Sequence, residues 1–295
     1  MHSIQPSHPV AVVSCAAPRS ASLGLRAWLL VAGCATGLAF WLPAAAQSAP
    51  FEPQVGQSGK DVIWVPTPNE LVSQMLGMAG VTARDTVIDL GSGDGRTVIA
   101  AARLGANAMG IEYDPNMVSL SNANARAAGL AERARFIKAD IFEYDFSAAT
   151  VLTMYLLTDL NVRLRPKILQ MKPGTRVVSH QFRMGDWEPD RTVRHDDRPA
   201  YLWIVPARVE GNWLLTVGNE QLPMRLQQNF QTAEGRISRG AVELRFAGVR
   251  LNGDNIQLGL PDGRGSERKL SGVVSADGNS IQGEAGGIPW SARRQ

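Results

Sequence analysis

The chain predicts an α/β fold: a seven-stranded mixed sheet covered by helices, followed by a small C-terminal antiparallel β module. Three observations carry this expectation. Between residues 86 and 180, short apolar runs alternate with segments of helical character, the layout of a mostly parallel sheet with both faces covered. Residues 87–102 read VIDLGSGDGRTVIAAA, an apolar strand that passes through three alternating glycines into a helix. Beyond about residue 221 the pattern changes to short alternating runs separated by Asn-Gly, Asp-Gly and Asp-Gly-Asn turns.

Taken in order, the 295 residues begin with a leader. Arg19 and Arg26 precede a long apolar run that ends in Ala44, Ala45 and Ala46, so residues 1–46 read as a signal peptide, or as a membrane anchor if they stay uncleaved. A lipoprotein site at Cys34 is disfavoured because the apolar run continues well past it. The leader makes the protein exported or membrane-associated, with anchoring on the cytoplasmic side as the alternative. Both cysteines, Cys15 and Cys34, lie within it, so the body has no thiol for a nucleophile, a disulfide or a thiolate metal site. No metal site is expected. Arg19 and Arg26 supply two of the formal +3 charges, and the +1 left on the body gives no electrostatic support for nucleic-acid binding.

Residues 47–60 are rich in Pro, Gly and Gln and read as linker. The domain expected over 61–218 opens with DVIWVPTP, after which Thr67 or Asn69 is placed to cap a helix over 70–79. Strands are expected at 86–89, 108–111, 134–138, 150–155 and 176–180, with helices at 96–104, 116–128 and 160–171. Residues 201–217 carry two aromatic, β-branched runs around Gly211-Asn212, read as the antiparallel hairpin that completes the seven strands. The module over 221–295 holds no histidine and no titratable cluster, and reads as a partial barrel or a sheet lying on the main domain.

The chemistry concentrates at the carboxyl ends of the strands, where ligands bind in such sheets. Gly91, Ser92, Gly93, Asp94 and Gly95 form a turn that lets a ligand approach the backbone and the following helix N-terminus. The spacing is not the G-x-G-x-x-G of a dinucleotide site, and Asp89 and Asp94 suit a pyrophosphate badly. They suit a phosphate-free cofactor with a cationic amino-acid end. Glu112, followed by Tyr113, ends the second strand and can accept both ribose hydroxyls. Asp140 can accept from an adenine amine, with Ile141 and Phe142 covering the ring.

These residues, with GIE, KAD and the strand ending in Tyr155, resemble the motifs of class I S-adenosylmethionine-dependent methyltransferases over about residues 61–217. The resemblance implies a Rossmann-like methyltransferase fold and S-adenosyl-L-methionine as cofactor. More narrowly, VPTP, DLGSGDGR and RVVSHQF resemble the protein-lysine methyltransferase group that includes the mitochondrial enzymes acting on membrane-embedded ATP synthase and nucleotide-carrier proteins. That likeness implies a protein substrate, membrane-embedded in those relatives, and places Pro66 and Thr67 near cofactor and acceptor. Tyr155 is the first candidate for directing the acceptor amine, and Asp159 and Asn161 are further ones. A small-molecule methyltransferase and a noncatalytic envelope binding protein are the alternatives. His180 either ends a strand or acts as a base. His195 lies in a mixed-charge loop, RTVRHDDR, that is either solvated surface or a lid over the acceptor site, and Trp187 either contributes to that lid or anchors the loop.

Overall fold

The computed structural model describes residues 51–263 and 265–295; the leader lies outside the described residues. The elements run α1 (Asn69–Met78), β1 (Thr86–Leu90), α2 (Arg96–Arg103), β2 (Asn107–Glu112), α3 (Pro115–Ala127), β3 (Ala134–Lys138), β4 (Val151–Met154), α4 (Thr158–Ile168), β5 (Arg176–His180), β6 (Arg191–His195) and β7 (Arg198–Ile204). Eight more strands follow: β8 (Gly211–Val217), β9 (Glu220–Asn229), β10 (Thr232–Arg239), β11 (Val242–Asn252), β12 (Asn255–Pro261), β13 (Glu267–Val274), β14 (Ser280–Ala285) and β15 (Ile288–Arg294).

The first seven strands form one sheet in the order β3-β2-β1-β4-β5-β7-β6. The five strands from β3 to β5 are parallel; β7 runs antiparallel to β5, and β6 antiparallel to β7. Strand alternation divides the core in two. Val87, Val151 and Val178 face one layer with Leu71, Leu76 and Val98, while Ile88, Leu152 and Val177 face the other with Leu160, Leu164 and Trp203. Burial on both faces explains why these strands read as continuous apolar runs. The order reverses between β1 and β4, so a crevice opens at their carboxyl ends.

Three expectations are corrected here. The closing hairpin is β6–β7, turning at Asp196 and Asp197, so His195 ends a strand rather than lying in a loop. The run 211–217 leaves the sheet: β8 pairs with β9 and β15, and the change of sheet falls in the connection 205–210. Neither Thr67 nor Asn69 caps α1. Pro68 stands at the N-cap with φ −55° and no side-chain bond, and Thr67 turns its hydroxyl elsewhere.

β8–β15 close into an eight-stranded antiparallel barrel. Its strands largely alternate, putting Trp213, Leu226, Phe246, Leu270 and Trp290 inside, so the interior is a packed core. Gly235 sits at a register shift in β10, where a Cβ would lie 2.0 Å from the Phe246 ring, so only glycine leaves room for that side chain. The barrel is joined to the sheet by aromatic packing. Trp187, fully buried, stacks on Phe230 with centroids 5.6 Å apart and donates its indole N–H to Gln231 Oε1 at 2.8 Å. Gln231 Nε2 returns a bond to the Glu188 carbonyl at 2.7 Å. Trp187 is therefore an anchor, and residues 181–200 form no lid.

Candidate active site

A cavity of about 340 Å³ occupies the crevice at the β1–β4 switch point. Its floor comes from the turns after β1, β2, β3 and β4. Its roof is the segment 57–67, folded back by reciprocal bonds between Gly56 N–H and the Trp64 carbonyl and between Trp64 N–H and the Gln57 carbonyl, both 2.9 Å. Residues 57–60, read from composition as linker, thus form part of the wall. Gly93 explains the glycine requirement of the loop. It adopts φ +53°, and a Cβ there would fall 2.5 Å from Trp64 Nε1.

Asp89 lies at the end of β1, buried, accepting from Thr153 Oγ1 at 2.6 Å. Burial pushes its pKa up to about 7, against the Thr153 hydrogen bond, with Glu112 and Asp94 adding repulsion. Ser92 Oγ, packed over Gly110 of the neighbouring strand, is buried with no partner among the described residues. A destabilised carboxylate and an unpaired hydroxyl in one wall are the environment that a cationic, hydrogen-bonding ligand end would relieve.

Asp94 does not share this role. Arg96 clasps it through Nε at 3.0 and 3.1 Å and Nη2 at 2.6 Å, and Arg96 Nη1 donates to the Thr67 carbonyl at 2.9 Å. Its charge is neutralised and ties the roof to the loop. Glu112 accepts from Gly93 N–H at 2.9 Å through one oxygen, and from Tyr113 and Asp114 N–H at 2.8 and 3.0 Å through the other. These bonds fix the carboxylate and leave about one of its four lone-pair positions open for a hydroxyl, so accepting two hydroxyls requires a backbone bond to give way. Asp140 accepts from Phe142 N–H at 2.9 Å and is ion-paired with Lys60, which holds its carboxyl below the usual carboxylate range. Lys60 Nζ also lies 4.9 Å from the Tyr113 ring centroid. The expected bond from Asp140 to an adenine amine must therefore share this carboxylate with Lys60.

Twelve of the candidates named from the sequence line the one cavity: Pro66, Thr67, Asp89, Gly91, Ser92, Gly93, Asp94, Glu112, Tyr113, Asp140, Ile141 and Tyr155. Three do not. Gly95 is required by packing, since a Cβ would meet Phe136 at 2.5 Å. Asp159 is exposed in the first turn of α4, where an acidic side chain favours the helix N-terminus. Asn161 is fully buried and donates to Ser179 Oγ and the Phe182 carbonyl at 3.2 Å. Its Nδ2 is spent on these groups behind the cavity, while its Oδ1 is buried without a partner among the described residues. Lys60, Trp64, Arg96 and Phe182 are wall residues that sequence reasoning missed. The aromatic in DVIWVPTP was a signal for Trp64, whereas nothing linear relates Lys60 to Asp140, 80 residues away.

A mixed sheet of this order, a glycine loop under an acidic strand end and a buried carboxylate set for a cation define a class I S-adenosylmethionine-dependent methyltransferase. The family model described as the ANTKMT methyltransferase domain matches residues 89–191. A protein-lysine N-methyltransferase of Saccharolobus islandicus (strain REY15A) is 41% identical over 151 residues, covering 49% of this chain and 94% of that protein. The adenine nucleotide translocase lysine N-methyltransferase of Mus musculus is 31% identical over 143 residues, covering 48% of this chain and 58% of that one. Among solved structures, an RNA methyltransferase from Salinibacter ruber in complex with S-adenosyl-L-homocysteine is 50% identical, with TM-score 0.48, covering 49% of this chain and 96% of that one. The chain belongs to the protein-lysine methyltransferase family that the Saccharolobus protein represents. It is an S-adenosylmethionine-dependent enzyme.

Proposed function

We propose that the enzyme methylates the side-chain amine of a protein lysine presented on an apolar surface. The observation that carries this reading is the mouth of the cavity. Three wall residues there are large, apolar and exposed: Ile63 at 60%, Tyr113 at 49% and Leu157 at 46%. A rim of this kind suits a macromolecular partner with apolar surface of its own. The anchoring of residues 183–200 by Trp187 favours such a partner over a small molecule, because beyond Phe182 that segment does not line the cavity. The names of the relatives supply the acceptor type.

The bound cofactor supplies an electrophilic methyl group. Asp89 and Ser92 are proposed to hold its cationic amino-acid end, Glu112 its ribose, and Ile141 with Asp140 its base. Tyr155 and Thr67 would face the acceptor. The aromatic wall desolvates an arriving ammonium and lowers its pKa, so the amine sheds its proton to water before reaction. The protein's further contribution is alignment and exclusion of water.

The test is incubation with tritiated cofactor and a membrane protein fraction, followed by mapping of the label. Label on lysine Nε supports the reading; label confined to small molecules, glutamine or nucleic acid rejects it. Residues 1–46 are proposed to bring the enzyme to the membrane, either exported or anchored with the domain on the cytoplasmic side. Reporter fusions after residue 46 distinguish these, and a reporter recovered only in the soluble cytoplasm rejects both. Among the described residues no helix is long and apolar enough to cross a membrane.

A further inference from the structure

His180 ends β5, fully buried, and takes no part in the cofactor assignment. Its Nδ1 lies 3.0 Å from Thr67 Oγ1. Its ring rests on Tyr155 with centroids 3.8 Å apart, and Tyr155 stacks in turn on Phe182 at 6.0 Å. Thr67, Tyr155 and Phe182 all line the cavity, whereas His180 stands behind them.

The backbone here is strained. Gln181 adopts φ +67°, a left-handed conformation unusual for a non-glycine residue, while Phe182 N–H donates to the His180 carbonyl at 2.7 Å. This is a tight γ-turn of the kind that persists only when its surroundings hold it. They do so from the far side, where Asn161 Nδ2 donates to the Phe182 and Arg183 carbonyls at 3.2 and 3.3 Å. His180 Nε2, meanwhile, is buried without a partner among the described residues. An apolar ring of similar size would avoid that cost but would leave the buried Thr67 hydroxyl without its partner, so the imidazole at this position is tied to Thr67 and the wall that Thr67 belongs to.

We infer that His180 is a positioning residue for the methyl acceptor: it orients the Thr67 hydroxyl and the Tyr155 ring, and the strained turn after it presents Phe182, making one uncharged wall along the path of the incoming nitrogen. This rests on the methyltransferase reading of the cavity and deepens it. Burial holds the His180 pKa down to about 4, with the charge of Arg198 acting in the same direction, so the wall stays uncharged at neutral pH. Arg198 also bears on Tyr155, whose hydroxyl burial pushes up.

The experiment compares two ligands by calorimetry. S-adenosylhomocysteine fills the cofactor positions and presents nothing to the acceptor, whereas sinefungin carries an amine in place of the sulfonium methyl. The ratio of their Kd values therefore reads the acceptor side alone. His180→Phe, which keeps a ring but loses Nδ1, is expected to weaken sinefungin about tenfold with S-adenosylhomocysteine within about twofold of wild type. His180→Asn, which can still bond Thr67, should recover part of the loss. An unchanged ratio, or parallel weakening of both ligands, overturns the proposal. If His180→Phe does not fold, Thr67→Val must shift the ratio by itself, and a constant ratio there is equally fatal. Failure of folded wild-type protein to bind S-adenosylhomocysteine would instead bring down the cofactor reading beneath it.

Discussion

With the cationic end of the cofactor placed against Asp89, as proposed, the pKa of this carboxylate makes binding pH-dependent in a calculable way. An ordinary aspartate has a pKa of 3.8, and burial raises this one to about 7. The folded protein without ligand therefore holds a proton on Asp89 across the window between those values, where the unfolded chain does not. Stability from this protonation is fully present below the unfolded value and is lost as pH rises through about 7, amounting to roughly 4 kcal/mol at about 1.4 per unit. A ligand ammonium beside the carboxylate reverses the balance, because it favours the charged form. Binding then releases a proton, and affinity should fall about tenfold for each pH unit below the free-protein pKa. From about pH 7.5 to about pH 5.5 the Kd of S-adenosylhomocysteine should rise roughly twentyfold to thirtyfold, while the ligand amine stays cationic throughout. Calorimetry in two buffers of different ionisation enthalpy measures both the affinity and the proton released, about half a proton per site at neutral pH. Asp89→Asn should bind more weakly and lose the slope. A flat wild-type profile, or an equal slope in Asp89→Asn, would refute the placement of the cationic end against this carboxylate.

Glu112→Ala removes an acceptor that three backbone N–H groups share, including that of Gly93, and should weaken S-adenosylhomocysteine roughly tenfold to a hundredfold. Titration calorimetry checks it, and Glu112→Gln should fall between. Lys60→Ala cuts the tie from the roof to Asp140, so chymotrypsin should cleave at Trp64 faster in the ligand-free protein, and the ligand should dissociate a few-fold faster. Trp187→Ala empties a fully buried site that joins barrel to sheet, at a cost of about 3–5 kcal/mol. Scanning calorimetry should show Tm lowered by about 6–20 °C. Because Trp187 does not line the cavity, cofactor affinity in the folded variant should be unchanged within about twofold.

The amino-acid sequence by itself determined the α/β core and the floor of the site. Apolar runs such as 87–90 are buried on both faces, and the turns at strand ends carry their functional groups within a few residues of the strand, so local pattern places Asp89, Gly93 and Glu112 directly. Of the roof, only Pro66 and Thr67 were open to reading, through the family likeness rather than local pattern. Lys60 meets Asp140, and Thr67 meets His180, only because the segment before α1 folds back over the crevice, and the sequence marks that segment merely as the end of a linker followed by a short apolar piece. Charge pairing was equally hidden: Asp94 looked free until Arg96 closed on it. Asn161 follows the same logic, since one helical turn decides whether a side chain faces the cavity or the backbone behind it. The last decision concerned strand partners. β8 has the aromatic alternation of a sheet-closing strand, but alternation records only which faces are buried, not which sheet buries them. Closure of β8 onto β15, some 75 residues later, is a long-range pairing that tertiary structure alone could settle.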